Sequence, residues 1–164
     1  MRVQKRSTVA TKVPGYTFIE LLVVATIILI LASAIMPLVR VTSQRTREAE
    51  LRRALREMRT AIDKFNDAAI SQQIAPTELK AGADNYPPDL DTLVEGVTPV
   101  NDVVGRKIRF LRRVPIDPMT RSAEWGLRSS QDKPDSTKWG GQNVYDVFTT
   151  SDAKALDGTK YKDW

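Results

Sequence analysis

The chain contains neither cysteine nor histidine. Without cysteine there is no disulfide and no thiolate site, a pattern compatible with any compartment. Without histidine the commonest general base is missing, along with the usual catalytic zinc ligands and every Ser-His or Cys-His pair. A non-enzymatic protein is expected. Aromatic residues make up only 7% of the chain, few for a stacking surface that would bind single-stranded nucleic acid. With 164 residues there is room for one small soluble domain beside any membrane segment.

Acidic residues are missing from one region in particular. Arg2, Lys5, Arg6 and Lys12 all precede Gly15, with no carboxylate among them. Taking those four from the 25 basic residues leaves 21 against 20 acidic ones, so much of the net charge of +5 belongs to the leader. Directly after it comes the longest uncharged stretch, Leu21 to Val39. As a helix it is about 28 Å long, close to the ~30 Å of a bilayer's hydrocarbon core. Ala32, Ser33 and Ala34 offer a weak signal-peptidase site, but the run is longer than a signal peptide's apolar region. A retained single-pass transmembrane helix is expected. Its basic leader lies on the cytoplasmic side, with the rest of the chain outside.

Glu20 stands at the mouth of this run. A carboxylate at the centre of a membrane helix costs about 2.5–3.5 kcal/mol, and less near the headgroups. It is therefore either an idle interfacial group or a functional one. The stretch PGYTFIEL, Pro14 to Leu21, resembles the prepilin processing site shared by type IV pilins and the pseudopilins of type II secretion. The resemblance implies that a prepilin peptidase cuts after Gly15 and that the new N-terminus at Tyr16 is methylated. Phenylalanine is usual where this chain has Tyr16. It also implies a helical homopolymer in which Glu20 of one subunit pairs with the Tyr16 amine of its neighbour and sets the stagger. A buried pair is tolerated where a lone buried charge is not. Further partners implied are minor pseudopilins and an inner-membrane assembly platform.

Pro37 removes a backbone donor and crowds the carbonyl of Ser33, so a kink or local melting is expected over residues 33–37. The family resemblance places a proline here too and gives it a part in subunit packing. Beyond it, Leu51, Leu55, Met58, Ile62, Phe65 and Ala69 step by 4, 3, 4, 3, 4, one apolar face of a helix. Arg45, Arg52, Arg53, Arg56 and Arg59 fall on the other faces, and Glu48 is spaced for an i, i+4 pair with Arg52. Five acids interleave with the basic residues, so this is read as a mixed-charge face rather than a nucleic-acid surface. Together with residues 18–39 it forms one helix of about fifty residues, at 3.6 residues per turn.

Residues 71–105 read as a loop with one short helix near Pro88–Val94. NYPPDLDTLVEG is similar to the pseudopilin segment in which a Tyr-Pro pair precedes such a helix. Trp125, Leu127 and Arg128 predict one strand, and Val144 to Phe148 a second. Val114-Pro115-Ile116-Asp117-Pro118 resembles a turn of the major pseudopilin, although Met119, Thr120 and Arg121 replace the tryptophan and Gly-Asn usual there. Type IV pilins commonly close their last loop with a disulfide, which this chain cannot form. Major pseudopilins bind calcium there, and by that resemblance Asp152, Asp157, Asp163 and the turn glycine Gly158 are candidates. Lys154, Lys160 and Lys162 dilute the local charge, so a polar turn capped by Asx side chains is the alternative.

The expected fold is α+β, with a long N-terminal helix packed on a small C-terminal antiparallel sheet. Residues 1–15 form the cleaved leader and 16–39 the transmembrane or filament-core helix. Residues 40–70 form the amphipathic helix, and 71–164 a periplasmic loop and sheet domain. The expected function is a structural subunit of a type II secretion pseudopilus at the bacterial inner membrane. The alternatives are a type IV pilus subunit and a membrane-anchored binding module that never polymerises.

Overall fold

The structure is a computed structural model that describes residues 15–100 and 105–164, with the side chains of residues 34–38 outside the description. The basic leader before Gly15 therefore lies outside the described residues. Helix α1 runs from Phe18 to Ile70, 53 residues in all, and the chain divides into two compact units, Met1–Arg40 and Val41–Trp164.

In the first unit, α1 is apolar on every side. Phe18, Ile19, Leu22, Val24, Ile28 and Leu31 are all exposed, from 46% at Val24 to 82% at Phe18. The hydroxyls inside this stretch are satisfied within the helix: Thr26 Oγ1 donates to the Leu22 carbonyl at 2.8 Å and Ser33 Oγ to the Ile30 carbonyl at 2.7 Å. That is the usual solution for a polar side chain in apolar surroundings. Helical backbone continues through Pro37, so the local melting expected over residues 33–37 does not occur; the proline's own side chain is outside the description. Among the described residues no helix is long and apolar enough to cross a membrane. The run expected to do so, Leu21–Val39, includes the five undescribed side chains.

The second unit has the core. All six residues of the 4-3 stripe are buried, from Leu51, Met58, Ile62 and Phe65 at 0% to Ala69 at 6%. They form one cluster with Leu93, Val97, Leu111, Trp125, Val144 and Val147. Each such large side chain removed from water contributes about 1.5–3 kcal/mol. The short helix α2 spans Leu90–Glu95. It begins where the Asp89 carboxylate accepts from the Thr92 amide and hydroxyl, both at 2.7 Å, an N-cap worth about 1 kcal/mol. It stops at Gly96, whose φ is +81° and where a Cβ would lie 2.6 Å from the Ile108 carbonyl oxygen.

Strands β1, Gly126–Arg128, and β2, Asp146–Phe148, pair antiparallel with Leu127 opposite Val147. Both are shorter than expected. Trp125 leaves the strand to send its indole N–H to the Pro115 carbonyl at 2.9 Å, and the Val144 amide donates to the Pro87 carbonyl at 2.8 Å. A two-stranded ribbon is marginal alone, so this one depends on α1. Val147 enters the core, and Arg59 of α1 donates to Asp146 at 2.7 Å while Arg128 reaches the same carboxylate at 3.3 Å. The Phe148 ring lies across Gly126, where a Cβ would meet it at 2.3 Å, and the Arg128 guanidinium stacks 4.2 Å above that ring.

The turn after Val114 is organised by Asp117, which is fully buried. Its carboxylate accepts from the Met119 amide at 2.7 Å and from the Thr149 hydroxyl, and its backbone pairs with Ser122 and Arg121. Arg121 closes the turn with φ at +60°, a conformation that costs a residue with a Cβ about 1–2 kcal/mol.

Two substitutions test this packing by urea denaturation of the detergent-solubilised chain, followed by tryptophan fluorescence. Gly126→Ala drives a methyl into the Phe148 ring and is expected to destabilise the domain by about 1–3 kcal/mol. Arg121→Gly relieves the left-handed residue and is expected to stabilise it by up to about 1 kcal/mol.

Candidate functional site

The segment Gly15–Glu20 opens the apolar helix. Thr17 is its cap: the Glu20 amide donates to the Thr17 carbonyl at 3.1 Å and to its hydroxyl at 3.3 Å. Thr-Phe-Ile-Glu is thus the first half of a capping box. A carboxylate in the first turn also faces the positive end of the helix dipole. The Glu20 side chain itself has no hydrogen bond or ion pair among the described residues, and Tyr16 is 76% exposed. Both groups are available to something outside the chain.

Gly15 is the first described residue and stands in open space. A Cβ there would meet none of the described atoms within 4 Å.

The three carboxylates considered for calcium do not converge. Asp152 accepts from Lys162 Nζ at 2.8 Å, and Asp157 accepts from the Thr159 amide at 2.9 Å and hydroxyl at 2.6 Å. Asp163 lies exposed in the 3-10 turn Tyr161–Asp163. No group of three or more carboxylates is assembled among the described residues. Calcium needs six to eight oxygens around one point, and this arrangement does not fit it. The hydrogen bond from Lys162, then its charge, holds Asp152 below the ordinary carboxylate value, and Asp152 in turn raises Lys162. Hydrogen bonds from Thr159 lower Asp157.

Two polar centres in the second unit escape sequence reasoning. Asn143 is fully buried. Its amide donates to the Ala83 carbonyl and to Ser130 Oγ, both at 2.9 Å, and its oxygen accepts from the Ser130 amide at 3.0 Å. Glu48 is buried too, at 6% exposure, and does not pair with Arg52 as its spacing predicts. Its Oε1 accepts from the Leu156 amide and the Tyr161 hydroxyl, both at 2.9 Å, and from Gln44 Nε2 at 3.2 Å. Arg52 instead lies 4.0 Å above the Trp164 ring. The i, i+4 rule cannot see a partner more than a hundred residues away; the clue was a glutamate one turn before Leu51, on the edge of the apolar face.

Residues 11–36 match the prokaryotic N-terminal methylation motif. The match supports a type IV pilin-like or pseudopilin protein, and such a motif accords with membrane anchoring. It covers the segment Gly15–Glu20 and most of the apolar run, but none of the second unit. No curated protein and no solved structure matches the chain.

The Asp152–Lys162 pair has a defined pH window. Asp152 is lowered from 3.8, so its contribution is present above that value and fades as pH falls through the lower folded one. Lys162 is raised from 10.5, so its contribution is present below that value and fades as pH rises through the higher folded one. The difference in melting temperature between wild type and Lys162→Met is therefore expected to be level at neutral pH and to shrink in strong acid and strong base. Being exposed, the pair contributes little in absolute terms.

Proposed function

We propose that this chain is a non-enzymatic structural subunit of a periplasmic pseudopilus of the type II secretion system. It is made as a prepilin, cut after Gly15 by a prepilin peptidase and methylated on Tyr16. Anchored in the bacterial inner membrane by its apolar helix, it polymerises with copies of itself, and the growing filament pushes or plugs during export through the outer membrane. The single observation that carries this reading is the methylation motif over residues 11–36. An apolar helix whose described large side chains are exposed supports it. The helix is then covered first by lipid and later by neighbouring helices.

The processing features serve a type IV pilus subunit equally well. The pseudopilus reading is favoured by the absence of cysteine for a disulfide-closed last loop, and by a Val-Pro-Ile-Asp-Pro turn built around a buried Asp117. Within the proposed filament the Glu20 carboxylate neutralises the α-amine of a neighbouring Tyr16. Losing one member of a buried pair strands the other charge at roughly 3–5 kcal/mol.

Two variants in the native host separate processing from assembly. Gly15→Ala is expected to leave the precursor uncut with its circular dichroism unchanged. Glu20→Ala is expected to be cut and methylated but to lose filaments and extracellular protein release by well over about tenfold. Normal filaments from Glu20→Ala would sink the pairing. Deleting the chain distinguishes the two filaments: lost secretion with intact surface motility supports the pseudopilus, and the reverse supports a type IV pilus.

A further inference from the structure

The loop from Asp152 to Trp164 is tied both to itself and to α1. Its backbone closes on itself through Ala155 N–H to the Thr159 carbonyl at 2.8 Å, Gly158 N–H to the Ala155 carbonyl at 3.0 Å and Tyr161 N–H to the Ala153 carbonyl at 3.2 Å. An ion pair sets an ammonium, that of Lys162, against Asp152. What fixes the loop to the domain is α1. Glu48 Oε1 takes the Leu156 amide and the Tyr161 hydroxyl, and Gln44 Nε2 reaches both that hydroxyl, at 3.0 Å, and the Lys154 carbonyl, at 3.3 Å. Arg59 donates to the Trp164 carbonyl at 2.8 Å, and the Tyr161 and Trp164 rings meet edge to face, with centroids 5.1 Å apart.

A buried carboxylate is costly unless hydrogen-bonded, and charge-assisted bonds are about twice as strong as neutral ones. Glu48 meets that condition only when the loop is docked, because two of its three donors belong to the loop. We infer that Glu48 is a latch that holds the 152–164 loop on the long helix, with Lys162 as the cation of Asp152, so that the loop is ordered independently of calcium. This holds whether or not the chain polymerises.

The test uses the full-length chain in detergent, with two readouts. The first is its melting temperature in excess calcium chloride and in EGTA, expected to agree. The second is the rate of tryptic cleavage at Lys154, Lys160 and Lys162. Glu48→Ala is expected to speed cleavage by about tenfold or more, the effect of losing a hydrogen bond to a charged group. Glu48→Gln keeps an oxygen at the Oε1 position and is expected to stay much closer to wild type. Tyr161→Phe keeps the ring in the core and removes one donor. It is expected to give a smaller rise, and serves where Glu48→Ala loses helical circular dichroism. A melting temperature several degrees higher in calcium, reversed by EGTA, would overturn the inference. So would wild-type cleavage rates in both Glu48→Ala and Tyr161→Phe.

Discussion

Everything in this molecule depends on one helix that must satisfy two surroundings. Among the described residues before Arg40, α1 carries large apolar side chains that are exposed on all sides. A helix hydrophobic all round is stable only when buried in lipid or among other helices. After Val41 the same helix narrows to one apolar stripe, and the rest of the second unit is built to cover it. The switch from full to one-sided apolarity separates the two units.

Among the described residues, the second unit has little other regular structure with which to cover that stripe. The three-residue strands β1 and β2 and the six-residue helix α2 cannot hold themselves in place. Polar residues of α1 fix them from outside the apolar face: Arg59 reaches β2 through Asp146, and Glu48 with Gln44 reaches the last loop. Asn143 and Asp117 do the same inside the loops, each buried and hydrogen-bonded. Buried polar groups with full partners specify one arrangement where apolar packing would accept several. That suits a domain rich in irregular backbone.

The long helix is legible in the sequence because its signals are local and periodic. The stripe from Leu51 to Ala69 is buried residue for residue, and Asp89 and Gly96 punctuate α2 as their chemistry requires. The strands are legible in place but not in length, since β-forming residues at Trp125 and Val144 are diverted to the Pro115 and Pro87 carbonyls. Glu48 misleads because its spacing to Arg52 is right for a surface pair, while its actual donors sit at the far end of the chain. In the same way, Asp152, Asp157 and Asp163 share a short stretch of sequence yet find three separate environments. The segment from Gly15 to Glu20 is legible for another reason: Gly15, Tyr16 and Glu20 belong to a motif defined by sequence rather than by tertiary contacts.

The central claim is that the leader is removed at Gly15 and the apolar helix retained. Mass spectrometry of the N-terminal peptide from membrane-extracted protein tests it most directly. The account predicts a peptide beginning at N-methylated Tyr16. A chain that still begins at Met1 or Arg2 would contradict it, as would one that begins near Ile35 after conventional signal cleavage.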